Sequence, residues 1–229
     1  MPIILGLASL ILLAVLFGPQ WWVRRVLAHH GAERPDLPGT GGELARHLLD
    51  EAGLQAVKVE LTGDRDHYDP DERAVRLLPQ HYDGRSVAAV AVAAHEVSHA
   101  LQHARGEQSF TRRFELVRKL IWIERLASGI LLLAPVVFIL VKAPILLVLQ
   151  VVAGLALLAM RIVVHVVTLP VEFDASFEKA LPVLEHGRYL SKSDMPAAHS
   201  VLRAAAWTYV AAALATLLDV ARWFRVLKF

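Results

Sequence analysis

The sequence predicts a mainly α-helical membrane protein, with about four transmembrane helices and a small α+β region carried between them. Three observations lead there. The 229-residue chain is 55% hydrophobic with a mean hydropathy of +0.46, too apolar for an ordinary water-soluble domain. Its apolar residues are gathered into runs of spanning length with few charges. Polar stretches with turn residues and short alternating segments lie between those runs. The net charge of +2 says little in total. The absence of cysteine says more: there is no disulfide and no thiolate nucleophile, and any metal must be held by histidine and carboxylate.

The elements follow in chain order. Pro2 to Val23 is uncharged, ends in Trp21-Trp22 and is followed by Arg24-Arg25, so residues 1–23 read as an N-terminal anchor. A cleaved signal peptide fits less well, because no basic residue precedes the run and no small-x-small site precedes the Trp pair. Residues 24–119 form a polar region. Within it, Gly41 to Gly53 has helical periodicity, with Leu44, Leu48 and Leu49 on one face and Gly53 as the stop. Val57 to Leu61 alternates like a strand. Asp66-His67-Tyr68-Asp69-Pro70 reads as a turn-rich loop, and Ala74 to Leu78 as a second short strand at the sheet edge. Ser86 is placed to cap a helix running to about Arg105, with Gly106 at its end.

Residues 120–168 read as a transmembrane hairpin. A basic amphipathic lead-in, Arg112 to Arg125, runs into apolar Leu126 to Val141. Lys142-Ala143-Pro144 makes the turn, and Ile145 to Val167 returns, interrupted only by Gln150, Arg161 and His165. Arg161 and His165 lie close enough to the polar side to snorkel. Residues 169–200 form a second polar segment. Residues 201–229 form a fourth span, Val201 to Ala221, and a basic tail. A hairpin between the two polar segments puts both on one side. Arg24, Arg25, Arg112, Arg113, Arg118, Lys119, Lys179, Arg188, Lys192 and Arg203 gather there, which places that side in the cytoplasm. The tail residues Arg222, Arg225 and Lys228 argue mildly the other way.

The chemistry is carried by His95-Glu96-Val97-Ser98-His99. Two histidines four residues apart on a helix lie about 40° apart around the axis, one turn above the other, so both imidazoles reach one ion. Glu96 cannot share that ligation, but it can take a proton from water. Two zinc ligands and a general base in this spacing make the zincin pattern. A catalytic zinc needs a third ligand. No third histidine follows at metzincin spacing, so a later carboxylate is expected. Glu172, in Leu169-Pro170-Val171-Glu172-Phe173-Asp174-Ala175-Ser176, is the first candidate, and Asp174 competes from another helix face.

The stretches GELARHLLDEAGLQAVKVE, DHYDP with AVRLL, SVAAVAVAAHEVSHALQ, VTLPVEFDAS and LRAAAWTYVAA are spread over nearly the whole chain. Through them it resembles the neutral zinc metallopeptidase family of bacterial membrane proteins, often called YugP-like. More remotely it is similar to the CaaX-processing and heat-shock membrane metallopeptidases, which pair an HExxH helix with a glutamate opening an ExxxD motif. The resemblance implies Zn2+ as cofactor, Glu172 as third ligand and an integral, multi-pass protein of the bacterial inner membrane. Position 176 is Ser where ExxxD has Asp; a hydroxyl there can still hold a ligand histidine from the second layer. Ser98 replaces the glycine common in the family, keeping a small residue.

Five further residues are candidates around the site. His103 lies one turn beyond His99, about 6 Å further along the axis, too far for the same ion and placed for a supporting role. Asp66 and His67, with Tyr68 and Asp69, are of types that orient a ligand histidine or stabilise an oxyanion, or simply make a turn. The resulting expectation is a zinc-dependent endopeptidase with Glu96 as general base. It would cut membrane or membrane-associated polypeptides at the cytoplasmic face, with extended substrate paired on the strand 74–78. Its expected partners are a polypeptide substrate and the lipid bilayer, without nucleic acid. A membrane scaffold or chaperone that keeps a zinc site without proteolysis is the rival. A lipid or prenyl-protein processing enzyme would need a larger chamber than four spans build.

Overall fold

The computed structural model describes the backbone of residues 2–141 and 144–227, and side chains chiefly between 13 and 125 and between 145 and 214. The elements are α1 (Pro2–His30), α2 (Gly41–Glu51), β1 (Lys58–Leu61), β2 (His67–Asp69), β3 (Ala74–Leu77), α3 (Pro79–Tyr82), α4 (Val87–Ala104), α5 (Gln108–Val141) and α6 (Pro144–Phe173). A π-helical stretch, Asp174–Ala180, leads into α7 (Leu181–His186), and α8 (Met195–Leu227) ends the chain. The protein is mainly helical with one small sheet, as the sequence predicts.

Helix α4 is the centre. Ser86 caps it, its Oγ accepting from the Ala89 amide at 3.0 Å. The helix is buried on every face from Val87 to Ala100, and again at Gln102. A helix apolar all round has to be enclosed, and its alanines let the neighbours come close. Those neighbours are α2, α3, α8, the π-helical stretch and the sheet. Helix α2 carries a full capping box: Thr40 Oγ1 accepts from the Glu43 amide and Glu43 Oε2 accepts from the Thr40 amide. Both predicted stops hold. Gly53 and Gly106 follow α2 and α4 with φ of +73° and +62°, a left-handed backbone that glycine takes without a Cβ clash.

The sheet corrects the sequence reading in two places. Its order is β1-β3-β2, with β1 parallel and β2 antiparallel to β3. The predicted loop at Asp66–Pro70 is a strand at His67–Asp69, and Ala74–Leu77 is the central strand rather than the edge. Ala74, Val75 and Leu77 are fully buried, which an edge open to substrate would not allow. Arg76 ties the sheet together, bonding Glu60 on β1 at 3.1 Å and Asp69 on β2 at 2.5 Å.

Among the described residues, one helix is long and apolar enough to cross a membrane: Val152–His186, with mean hydropathy 2.2 in its most apolar stretch and only 6% of that stretch buried. Val148, Leu149, Val152, Val163 and Val166 present their side chains outward. The predicted spans at 2–23 and 126–141 are helical, but most of their side chains, and the turn residues Lys142 and Ala143, lie outside the described residues. So do the side chains of Asp219, Arg222, Arg225 and Lys228. The fourth predicted span, Val201 to Ala221, lies within α8, whose first turns pack against the protein. Helix α8 starts at Met195, and Val201, Leu202, Ala204 and Ala206 are buried in the protein. Hydropathy alone does not separate a lipid-facing turn from a core-facing one.

Candidate metal centre

Helix α4 presents His95 and His99 on one face, and α6 brings Glu172 to them from 73 residues beyond His99 in the chain. Glu172 Oε2 lies 3.1 Å from His95 Nε2 and 3.4 Å from His99 Nε2. One ligand atom from each of the three residues falls within 4.8 Å of the others, and all three residues are buried. Two imidazole nitrogens and a carboxylate oxygen converging in a protected site suit a zinc ion.

The second layer decides which nitrogen each imidazole offers. Ser176 Oγ is 3.1 Å from His95 Nδ1 and donates to the Leu202 carbonyl at 3.3 Å. A hydroxyl has one proton; with that proton on Leu202, Ser176 accepts from His95 Nδ1–H. His99 Nδ1 lies 2.8 Å from Gln102 Oε1. The Gln102 amide nitrogen donates to the Val171 carbonyl at 2.9 Å and to Asp174 Oδ2 at 2.6 Å. Both its N–H groups are used, so its oxygen must face His99 as acceptor. Each Nδ1 then carries a proton, which leaves each Nε2, turned toward Glu172, as the nitrogen that would ligate an ion. Asp174, the competing carboxylate, is occupied with Gln102 and Lys179.

Glu96 is buried beside this cluster. Burial pushes its carboxyl up to about 7; His95 and Arg113 oppose the rise, and Glu172 and Asp66 add to it. A carboxyl that exchanges its proton near neutrality suits general acid–base work. Ser98 Oγ bonds the Ala94 carbonyl at 2.7 Å, so its hydroxyl is satisfied inside the helix.

The remaining predicted residues sort themselves by distance. His103 is outside the cluster. Its Nδ1 meets the Tyr68 hydroxyl at 2.9 Å, and its ring stacks on Phe110 with centroids 5.5 Å apart. Burial, aided by Arg73, lowers the His103 pKa, and burial pushes Tyr68 up to about 12, so the two meet as neutral groups at pH 7. Asp66 orients a histidine, but it is the buried His81, at 2.8 Å; its other oxygen accepts from the Leu78 amide at 2.8 Å. His67 turns back to the Arg65 carbonyl and takes no part. Arg161 is exposed, and the ring of His165 lies 6.5 Å from that of Tyr209.

Three residues escaped the sequence reading. Gln102 had a signal, standing three positions after His99 on the same helix face. Arg113 and Tyr209 had none, since α5 and α8 meet the site only in the folded protein. Arg113 Nη2 is 3.5 Å from Glu172 Oε1 and donates to the Tyr209 hydroxyl at 3.2 Å. Phe110, one turn earlier on α5 and almost wholly buried, closes the site against His99 and Tyr68.

Fold and site together define a helical protein in which an HExxH helix and a distant glutamate form a buried cluster able to hold a metal ion. Residues 5–228 match the family described as "putative neutral zinc metallopeptidase", and the chain belongs to that family. It is 35% identical over 217 residues, 93% of this chain and 92% of its relative, to the "putative membrane protease YugP" of Bacillus subtilis (strain 168). No solved structure matches the chain.

Proposed function

We propose that the protein is a membrane-embedded zinc endopeptidase that hydrolyses peptide bonds in membrane or membrane-associated polypeptides at the cytoplasmic face. The observation that carries the reading is the convergence of His95 Nε2, His99 Nε2 and Glu172 Oε2, with the Glu96 carboxyl at their side. His95, His99 and Glu172 would hold the ion. When bound, zinc supplies Lewis acidity, polarising the scissile carbonyl and making water acidic near neutral pH. Glu96 takes the water proton and passes it to the leaving amine. Ser176 and Gln102 keep the two imidazoles in the tautomer and orientation that ligation needs. With β3 central, β1 and β2 are the two edge strands; β2, anchored to the site helix α4 through Tyr68 and His103, is the edge we assign to extended substrate.

Membership in a metallopeptidase family and likeness to a named membrane protease support the activity. The outward-facing apolar side chains of α6 support a bilayer around it, with the other long helices as further spans of a multi-pass inner-membrane protein. The test is substrate trapping. Glu96→Gln expressed in native membranes is expected to keep the metal and to retain polypeptides that wild type cleaves, identified by mass spectrometry. The non-proteolytic scaffold has one observation on its side, the near-complete burial of the cluster. It predicts that Glu96→Gln leaves every cellular polypeptide at its wild-type level.

A further inference from the structure

The two oxygens of Glu172 are not equivalent. Oε2 faces both histidines, at 3.1 and 3.4 Å. Oε1 is buried without a well-aligned hydrogen bond; Arg113 Nη2 lies 3.5 Å from it, and the Tyr209 hydroxyl also acts on the Glu172 carboxylate. Glu172 is 1% exposed, so bulk water cannot compensate that oxygen. Arg113 is itself held. It donates to the Tyr209 hydroxyl at 3.2 Å, and its guanidinium carbon lies 5.7 Å from the centroid of that ring. One arginine thus joins α5, α6 and α8 at the back of the carboxylate.

The consequence lies in denticity. A carboxylate with both oxygens free can grip an ion with both, filling a place that a catalytic site must leave open. A cation fixed on one oxygen leaves the other alone to ligate. We infer that Arg113, braced by Tyr209, is a positioning residue that confines Glu172 to one-oxygen ligation through Oε2. The inference rests on the proposed zinc site at His95, His99 and Glu172. Its opposite is an Arg113 that only pins three helices together and has no influence on how the ion is held.

Cobalt(II) separates the two, because its visible absorption weakens as coordination rises from four to five. Full-length wild type, Arg113→Ala, Arg113→Lys, Tyr209→Phe and Glu172→Ala are loaded with cobalt in detergent, and metal content and spectrum are read together. Arg113→Ala is expected to keep one metal per chain while its visible absorption falls about two- to threefold, as a five-coordinate site forms. Arg113→Lys keeps the charge and restores most of the intensity. Tyr209→Phe loosens the guanidinium and moves the spectrum the same way by less. A wild-type spectrum from fully loaded Arg113→Ala overturns the inference. If Arg113→Ala does not fold, Tyr209→Phe decides, and an unchanged spectrum there overturns it equally. Glu172→Ala tests the parent reading alone. Undiminished metal in that variant removes Glu172 from the site whatever Arg113 does, whereas lost metal upholds the site and leaves the Arg113 spectra to decide the inference.

Discussion

Ser176 must satisfy two groups with one hydroxyl, and it stands fully buried between His95 Nδ1 and the Leu202 carbonyl. Alanine there removes the acceptor that holds His95 in its ligating orientation and the extra hydrogen bond to the Leu202 carbonyl. We expect Ser176→Ala to stay folded and to lose about 10–100-fold in metal affinity or activity, read by competition with a chelating dye. Gln102→Leu should match or exceed that loss, because three partners go at once: His99, the Val171 carbonyl and Asp174. Glu96 makes a pH prediction for the metal-free protein. Its folded pKa of about 7 lies above the ordinary 4.5, so the folded state holds more protons between those values. Stability therefore falls as pH rises through that window and levels off above it. Thermal melts of the metal-free protein should show this slope, and Glu96→Gln should flatten it. These residues also show what a sequence displays. His95, Glu96 and His99 are legible because a helix fixes their geometry from spacing alone. Gln102 could have been found by the same rule. Glu172 was legible only as a carboxylate on the polar side of the third span, and its pairing with Ser176 only through the resemblance to families with an ExxxD motif.

At the scale of elements, the strands were hardest to read. The strand β2 has three residues, His67 to Asp69, too few to display alternation, and its sequence carries turn signals on both sides. It is a strand because Arg76 on β3 binds Asp69 and because Tyr68 is fastened to His103 on α4, contacts that local spacing does not announce. Asp66 then closes the sheet onto α3, accepting from the Leu78 amide and meeting buried His81. Asp66→Ala should leave both without a partner and cost about 1–3 kcal/mol in thermal or denaturant unfolding. The folded fraction should keep its full metal content, because Asp66 touches none of the three candidate ligands. A variant that lost metal before it lost stability would return Asp66 to the site. The start of α8 escaped for another reason. Its Val201–Ala206 turns are as apolar as a span, yet they fill the core beside α4, and only packing separates those two destinations.

For the whole molecule, the candidate ligands cross-link α4 to the end of α6, so a bound ion should stabilise the fold by mass action. The melting temperature should drop on chelation, recover with zinc, and show no such difference in Glu172→Ala. Orientation is the last property that belongs to this scale. Arg113 and Lys179 were counted among the charges that hold the polar segments inside, but both have internal partners: Arg113 with Tyr209, and Lys179 with Glu107 and Asp174. The remaining charges still lie on that side, with Arg24, Arg25, Arg112, Arg118, Lys119, Arg188, Lys192 and Arg203 all in or beside the two polar segments. Arg203 sits over the ring of Trp22, 5.7 Å from its centroid, which sets that part of α1 level with the first turns of α8. Chain leaving α1 and chain entering α8 are thus at one height, as they must be if both polar segments share a compartment. On the multi-pass reading proposed above, the positive-inside bias assigns that compartment to the cytoplasm. A reporter fused after Arg105 should therefore read inside, and one fused at Phe229 should read outside. The reverse pair of results would turn the protein over in the membrane and move its substrates to the other face.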